Sequence, residues 1–122
     1  MKINLGAISC LINLYELLPE YASKSQIENE KLVLETKYRL LLCYKYISAE
    51  EWEKLQQANN DLKMSFSNII NKRDEYKGKK VNIESANTII SEIENVQEIK
   101  DKDIFYIKYK NLMQELNIIL EI

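Results

Sequence analysis

Scarcity of chain-breaking residues is the feature that most limits what this chain can fold into. Its 122 residues contain two glycines and one proline. Sheet proteins place turn residues about every 8–12 positions, and glycine and proline build many of those turns. Their scarcity favours long helices with short connections. Because the length suits one core, we expect residues 1–122 to form a single helical-bundle domain.

Apolar residues recur at helical spacing and divide the chain into five predicted helices. These span residues 3–18, 26–47, 49–76, 83–98 and 103–121. Short connections favour antiparallel neighbours, so we expect an all-α, up-and-down bundle of four to five antiparallel amphipathic helices. Pro19 either separates the first two helices or kinks a single helix across 3–47. The bundle therefore has five helices in the first case and four in the second.

The first predicted helix is apolar around most of its circumference, which is typical of a helix in the middle of a bundle or against a partner. It is shorter than the roughly 20 apolar residues that span a bilayer. The segment before Cys10 is too short for a signal peptide. We therefore expect no membrane insertion by this chain and a cytoplasmic location. The alternative is an extracytoplasmic domain whose anchor was removed from a longer parent protein.

Each remaining helix has a predicted buried face. The faces are Ile27, Leu34, Tyr38 and Leu41 on the second helix, widened by Val33, Leu40, Tyr44 and Ile47; Trp52, Leu55, Asn59, Leu62, Phe66 and Ile69 on the third; Ile83, Ala86, Ile90 and Ile93 on the fourth, helped by Ile89 and Val96; and Phe105, Tyr109, Leu112, Leu116 and Ile119 on the fifth. Ser48 and Asn82 are predicted to cap the third and fourth helices, since serine and asparagine oxygens accept from free backbone amides.

The charge balance argues against nucleic acid as a partner. Seventeen basic and nineteen acidic side chains give a formal net charge of −2. Duplex-binding domains concentrate a basic excess on one face. Here the basic residues between Lys72 and Lys80 are diluted by Asp74 and Glu75, which is typical of a solvated helix end.

The sequence lacks the residues that most catalytic mechanisms use. Histidine is absent, which removes the commonest general base, the Ser-His and Cys-His pairs and most catalytic zinc sites. The two isolated glycines cannot form a phosphate-binding loop. Glu94 and Glu98 share a helix face, but the sequence places nothing apolar around them, so a solvated surface is favoured over a catalytic pair. We expect no catalytic residues, metal or cofactor, and no enzymatic activity.

The cysteines, Cys10 and Cys43, form neither a CxxC motif nor a zinc site. Both lie in apolar stretches, which favours buried free thiols that act as small hydrophobes. A disulfide between the first two helices is the alternative, and it requires an oxidising compartment.

Tyrosine and Asn59 supply the candidate interface residues. Tyr38, Tyr44 and Tyr46 are on the second helix and Tyr106 on the fifth; tyrosine suits both bundle edges and recognition surfaces. Asn59 interrupts an apolar heptad, where a polar residue fixes register or oligomeric state. Alternatively, it lies at the margin of a wide core and reaches solvent.

These patterns predict a non-enzymatic protein–protein interaction or scaffold domain that binds a protein partner or a second copy of itself as a homodimer. A bundle that binds a small apolar ligand or lipid is the alternative. Enrichment in Ile, Asn, Lys, Glu and Tyr indicates an AT-rich, bacterial coding sequence.

Overall fold

The computed structural model describes residues 24–120, with side chains from residue 26 onward. It contains four α-helices: α1 (Lys24–Ser48), α2 (Trp52–Asn71), α3 (Lys80–Ile99) and α4 (Lys102–Leu120). Residues 24–120 include no strand, which confirms the all-helical class for this range. The predicted helix at 3–18, and the choice between one and two helices across 3–47, lie outside the described residues. No described helix is long and apolar enough to cross a membrane.

The helices pack around one continuous apolar core. Helix α1 contacts α2 and α4, and α3 contacts the same two helices. The buried faces predicted for α3 and α4 are confirmed in full, and the face of α2 is confirmed except for Trp52, which is half-buried. The spacing of apolar residues therefore identifies the core-facing side of these three helices.

Helix α1 differs because it buries more than one face. Val33, Leu40 and Ile47 are fully buried in the core. The predicted face is also buried at Ile27, Leu34 and Leu41, while Tyr38 is half-buried. The wide face predicted for this helix is therefore buried except at Tyr38 and Tyr44, which are half-buried.

The start of α2 differs from the predicted helix 49–76. Glu50 adopts a left-handed φ of 58°, which breaks the helical path between α1 and α2. The helix therefore begins at Trp52, and the side chain of Glu51, the residue before it, makes no capping hydrogen bond. The predicted Ser48 cap is wrong, since Ser48 closes α1 and its hydroxyl lies 3.2 Å from the Tyr106 hydroxyl.

Helix α2 also ends earlier than predicted, at Asn71, and a 3₁₀ turn follows at Arg73–Glu75. After this turn, Tyr76 packs into the core and is 8% exposed. Gly78 has the left-handed conformation expected of a stop, with φ of 75°, but it lies in the connection to α3. The predicted Asn82 cap is wrong because α3 begins at Lys80; Asn82 instead donates to Glu115 over 2.9 Å.

Candidate functional site

Two connections lie side by side at one end of the helices. The Lys102 ammonium is 3.2 Å from a Glu50 carboxylate oxygen, and Ser48 meets Tyr106 beside it. These contacts bring the α1–α2 connection next to the α3–α4 connection. We call the surface formed by residues 46–54 and 99–107 the two-loop end.

The two-loop end exposes aliphatic side chains. Ile99 is 61% exposed, Ile107 is 60% exposed and Ile104 is 38% exposed. Ile104 and Ile107 are three residues apart and share a face of α4. Lys100 takes a left-handed φ of 53°, so the chain turns directly after Ile99. Single exposed aliphatics are ordinary, whereas grouped ones often mark a site for a partner.

Half-buried aromatic rings lie at the same end. Tyr46 and Trp52 pack against the core and keep part of their surface in solvent. The ammonium groups of Lys45 and Lys54 each lie 6.0 Å from the centre of the Tyr46 ring. A cleft of about 410 Å³ is lined by Glu50, Glu51, Trp52, Glu53, Lys54 and Lys100. Aromatic rings with a charged rim are typical of protein interfaces.

An aromatic cluster supports this surface from inside. Tyr44 stacks against Tyr109 with ring centres 4.8 Å apart, and against Tyr106 at 5.3 Å. Phe105 is fully buried and packs against all three tyrosines. Burial raises the pKa of Tyr109, and Tyr44 adds to this effect. The isoleucines of α4 therefore extend from a helix whose opposite side is firmly packed.

Asn59 lies inside the molecule and joins three helices. It is 3% exposed, its side-chain oxygen accepts from the Cys43 thiol over 3.4 Å, and its nitrogen donates to Gln97 over 3.1 Å. Asn59 thus does not reach solvent as one alternative expected. Burial, with the nearby charge of Asp61, raises the pKa of Cys43 to about 12, so this thiol is a poor nucleophile.

The predicted site residues do not form one surface. Tyr46 and Tyr106 lie at the two-loop end, and Tyr44 lies in the cluster beneath it. Tyr38 is half-buried elsewhere on α1, with the Arg39 guanidinium 5.7 Å from its ring centre. Cys43 is a free, buried thiol, and Cys10 lies outside the described residues.

Sequence reasoning missed the three exposed isoleucines. The available signal was their position: Ile104 and Ile107 fall outside the seam of Phe105, Tyr109 and Leu112. An aliphatic residue outside a well-defined seam has no partner within its own bundle, which makes it a candidate contact residue.

No group of three or more metal-binding side chains occurs within residues 24–120. A second cleft, of about 530 Å³, lies between α2 and α3 and is lined mainly by carboxamides and carboxylates. A third cleft, of about 380 Å³ beside Leu32, has a more apolar lining, so the apolar-ligand alternative stays a prediction. No known protein family, curated protein or solved structure matches the chain significantly.

Proposed function

We propose that the protein is a non-enzymatic helical interaction domain that binds a protein partner through the two-loop end. The observation that carries this proposal is the exposure of Ile99, Ile104 and Ile107 at the end of the helices that also holds the half-buried rings of Tyr46 and Trp52. Burying apolar surface contributes roughly 25 cal/mol per Å², so a partner that covers these side chains gains binding energy. Aromatic residues at the same surface supply the usual anchors of an interface.

We further propose that the four helices run up and down in antiparallel order. Three sets of cross-helix contacts support this arrangement, because one residue number rises as the other falls. The pairs are Glu28–Lys72 and Arg39–Asp61 for α1 with α2, Asn59–Gln97 and Lys63–Glu94 for α2 with α3, and Asn82–Glu115 and Glu92–Lys108 for α3 with α4. This order brings the first and third connections to the same end.

A second copy of the chain is one form that the partner can take. The two-loop end, which exposes the isoleucines, also carries charges of both signs, with Lys102 paired to Glu50 and Lys54 paired to Glu51. Mixed charge permits the surface to meet a copy of itself without net repulsion. Multi-angle light scattering across a range of concentrations separates a homodimer from a monomer that binds another protein.

The proposal is tested by binding assays on the full chain and on a matched pair of double variants. Ile99→Lys with Ile107→Lys places two charges at the two-loop end. Met64→Lys with Val81→Lys makes the same change at side chains that are 68% and 76% exposed elsewhere. We expect the first variant to lose self-association or partner capture and the second to keep it. A strictly monomeric protein that retains no partner, or equal binding by both variants, contradicts the proposal.

A further inference from the structure

A polar cleft of about 530 Å³ lies between α2 and α3. Five of the eight described residues that line it carry carboxamide side chains, and these are Gln56, Asn59, Asn60, Asn95 and Gln97. We call it the carboxamide cleft. Asparagine and glutamine both donate and accept hydrogen bonds, so the lining suits a neutral ligand that does the same.

The base of the carboxamide cleft is a buried polar group. Asn59 is 3% exposed, accepts from the Cys43 thiol over 3.4 Å and donates to Gln97 over 3.1 Å. A carboxamide can donate two hydrogens and accept at two lone pairs, so these contacts use about half of the capacity of Asn59. The packing of α1, α2 and α3 thus holds in place an amide that can still bind a ligand.

Exposed carboxamides form the walls of the cleft. Gln56 and Asn60 are exposed on α2, and Asn95 is exposed on α3. Gln56 and Asn60 are four residues apart, which is a rise of about 6 Å along one side of the helix. In an extended chain, peptide groups that face the same side recur every two residues, or about 6.6 Å. The two repeats match closely over a short segment.

We propose that the carboxamide cleft binds the main chain of an extended segment of a partner protein. Each peptide group of such a segment carries one donor and one acceptor, which complement the same pair on a carboxamide. A single hydrogen bond contributes little in water, so an open polar cleft favours a ligand that repeats such bonds along its length. A small molecule would instead need a concave, mostly apolar pocket.

The other lining residues of the carboxamide cleft argue against nucleic acid as the occupant. The lining carries more acidic than basic charge, with Glu94 and Glu98 against Lys100, which disfavours phosphate groups. None of the eight described lining residues offers an aromatic ring on which a base could stack. A peptide main chain carries no net charge and needs no stacking surface.

The carboxamide cleft adjoins the two-loop end. Lys100 lines both this cleft and the one beside Trp52, and Ile99, which precedes it, is 61% exposed. A segment in the carboxamide cleft can therefore place a side chain against Ile99. This arrangement rests on the proposed function: the two-loop end selects an apolar side chain, and the carboxamide cleft holds the main chain beside it, as in other modes of peptide recognition.

Peptide selection on the full chain tests this assignment. The probe is a random dodecapeptide library displayed on phage, from which the strongest binder is synthesised. Fluorescence anisotropy then measures its affinity for the unchanged protein and for the cleft variant, Gln56→Ala with Asn60→Ala. Gln114→Ala with Asn117→Ala is the matched control, because it removes the same two kinds of side chain from exposed positions on α4. Circular dichroism checks that each variant keeps its helices.

We expect the peptide to bind the cleft variant at least tenfold more weakly than the unchanged protein, and the control variant within twofold of it. Methylating single backbone nitrogens of the peptide should also weaken binding at least tenfold at one or more positions, because a methylated amide cannot donate. The proposal is overturned if no peptide is enriched, if the two carboxamide variants bind equally, or if no backbone methylation weakens binding.

The Ile99→Lys, Ile107→Lys variant separates this proposal from the proposed function. Weaker binding by both this variant and the cleft variant supports one continuous interface. Weaker binding by the cleft variant alone supports the carboxamide cleft and contradicts the role of the two-loop end. Weaker binding by the isoleucine variant alone overturns the role of the carboxamide cleft and leaves the two-loop end as the binding surface.

Discussion

The two ends of the described helices are built differently. At the two-loop end, three isoleucines face solvent, and the Tyr46 and Trp52 rings are half-buried. At the other end of α1, which we call the Tyr76 end, the Tyr76 ring is buried and its hydroxyl donates to the Asn29 carbonyl over 2.7 Å. The Asn29 side-chain nitrogen donates to Glu75 over 3.2 Å. The Tyr76 end is closed over the core by a buried ring, although Val81 there is exposed, whereas the two-loop end exposes three isoleucines.

This difference suggests separate roles: the Tyr76 end contributes to stability, and the two-loop end is available for binding. The Tyr76 end shows that the chain can cover its core with a single ring and a few hydrogen bonds. A helical bundle of this kind does not have to expose residues such as Ile99 and Ile107 at its end. Each of the following predictions strengthens or breaks the contrast between the two ends.

Removing the Tyr76 ring gives the largest expected effect. Tyr76→Ala leaves a cavity and deletes the bond to Asn29, so we expect the free energy of unfolding to fall by about 3–5 kcal/mol. Urea denaturation followed by circular dichroism measures the change. Val81→Ala at the same end is the control, because Val81 is 76% exposed. A loss no larger than that of the control would mean that Tyr76 does not close this end.

Asn59→Ala tests the buried hydrogen bonds between the two ends. The Cys43 thiol and the Gln97 carboxamide each lose a partner, so we expect a loss of about 1–3 kcal/mol in the free energy of unfolding. Asn60→Ala, at the exposed neighbouring position, is expected to change stability by no more than about 0.5 kcal/mol. Equal urea midpoints for the two variants would show that the network contributes nothing.

Tyr76→Phe keeps the ring and deletes only the hydroxyl. The Asn29 carbonyl then loses the Tyr76 hydroxyl as a donor, and we expect a loss of about 1 kcal/mol in the free energy of unfolding. We expect this loss to be smaller than that of Tyr76→Ala, which would mean that the ring contributes more than the hydroxyl to closing the Tyr76 end. Identical losses in the two variants would assign it to the hydrogen bond instead.

Alkaline pH is expected to lower the free energy of unfolding through the buried tyrosines Tyr76 and Tyr109. Burial raises the pKa of Tyr76, with Glu75 adding to the effect, and burial likewise raises the pKa of Tyr109. Above about pH 10 the unfolded chain releases these protons while the folded chain retains them, so stability is full below that pH and falls as the pH rises. Urea midpoints between pH 8 and pH 11 measure the decline, which Tyr76→Phe should reduce. An unchanged slope in that variant contradicts a role for Tyr76.

The residues of α3 and α4 explain why much of the fold could be predicted. Their buried seams, from Ile83 to Ile93 and from Phe105 to Ile119, follow one helical period with polar residues between them. Helix α1 has no such contrast, and the sequence predicts for it one wide buried face instead of a narrow seam. The connections were harder, because the left-handed turn at Glu50 and the inward turn of Tyr76 depend on tertiary contacts.

The candidate site was less predictable than the fold. Tyr46 and Tyr106 were named from composition and lie at the two-loop end, but Tyr38 and Asn59 do not. The exposure of Ile99, Ile104 and Ile107 depends on which helix sides meet, and one sequence does not contain that information. The pairing of two connections through Lys102 and Glu50 likewise joins residues far apart in the chain.

The central claim is that the isoleucines of the two-loop end serve binding and contribute little to folding. The most direct measurement is the urea denaturation of the Ile99→Lys, Ile107→Lys double variant beside the unchanged chain. We expect the free energies of unfolding to agree within about 0.5 kcal/mol, because exposed side chains away from packed features contribute little. A loss as large as that of Tyr76→Ala would contradict the claim and make these isoleucines part of the core.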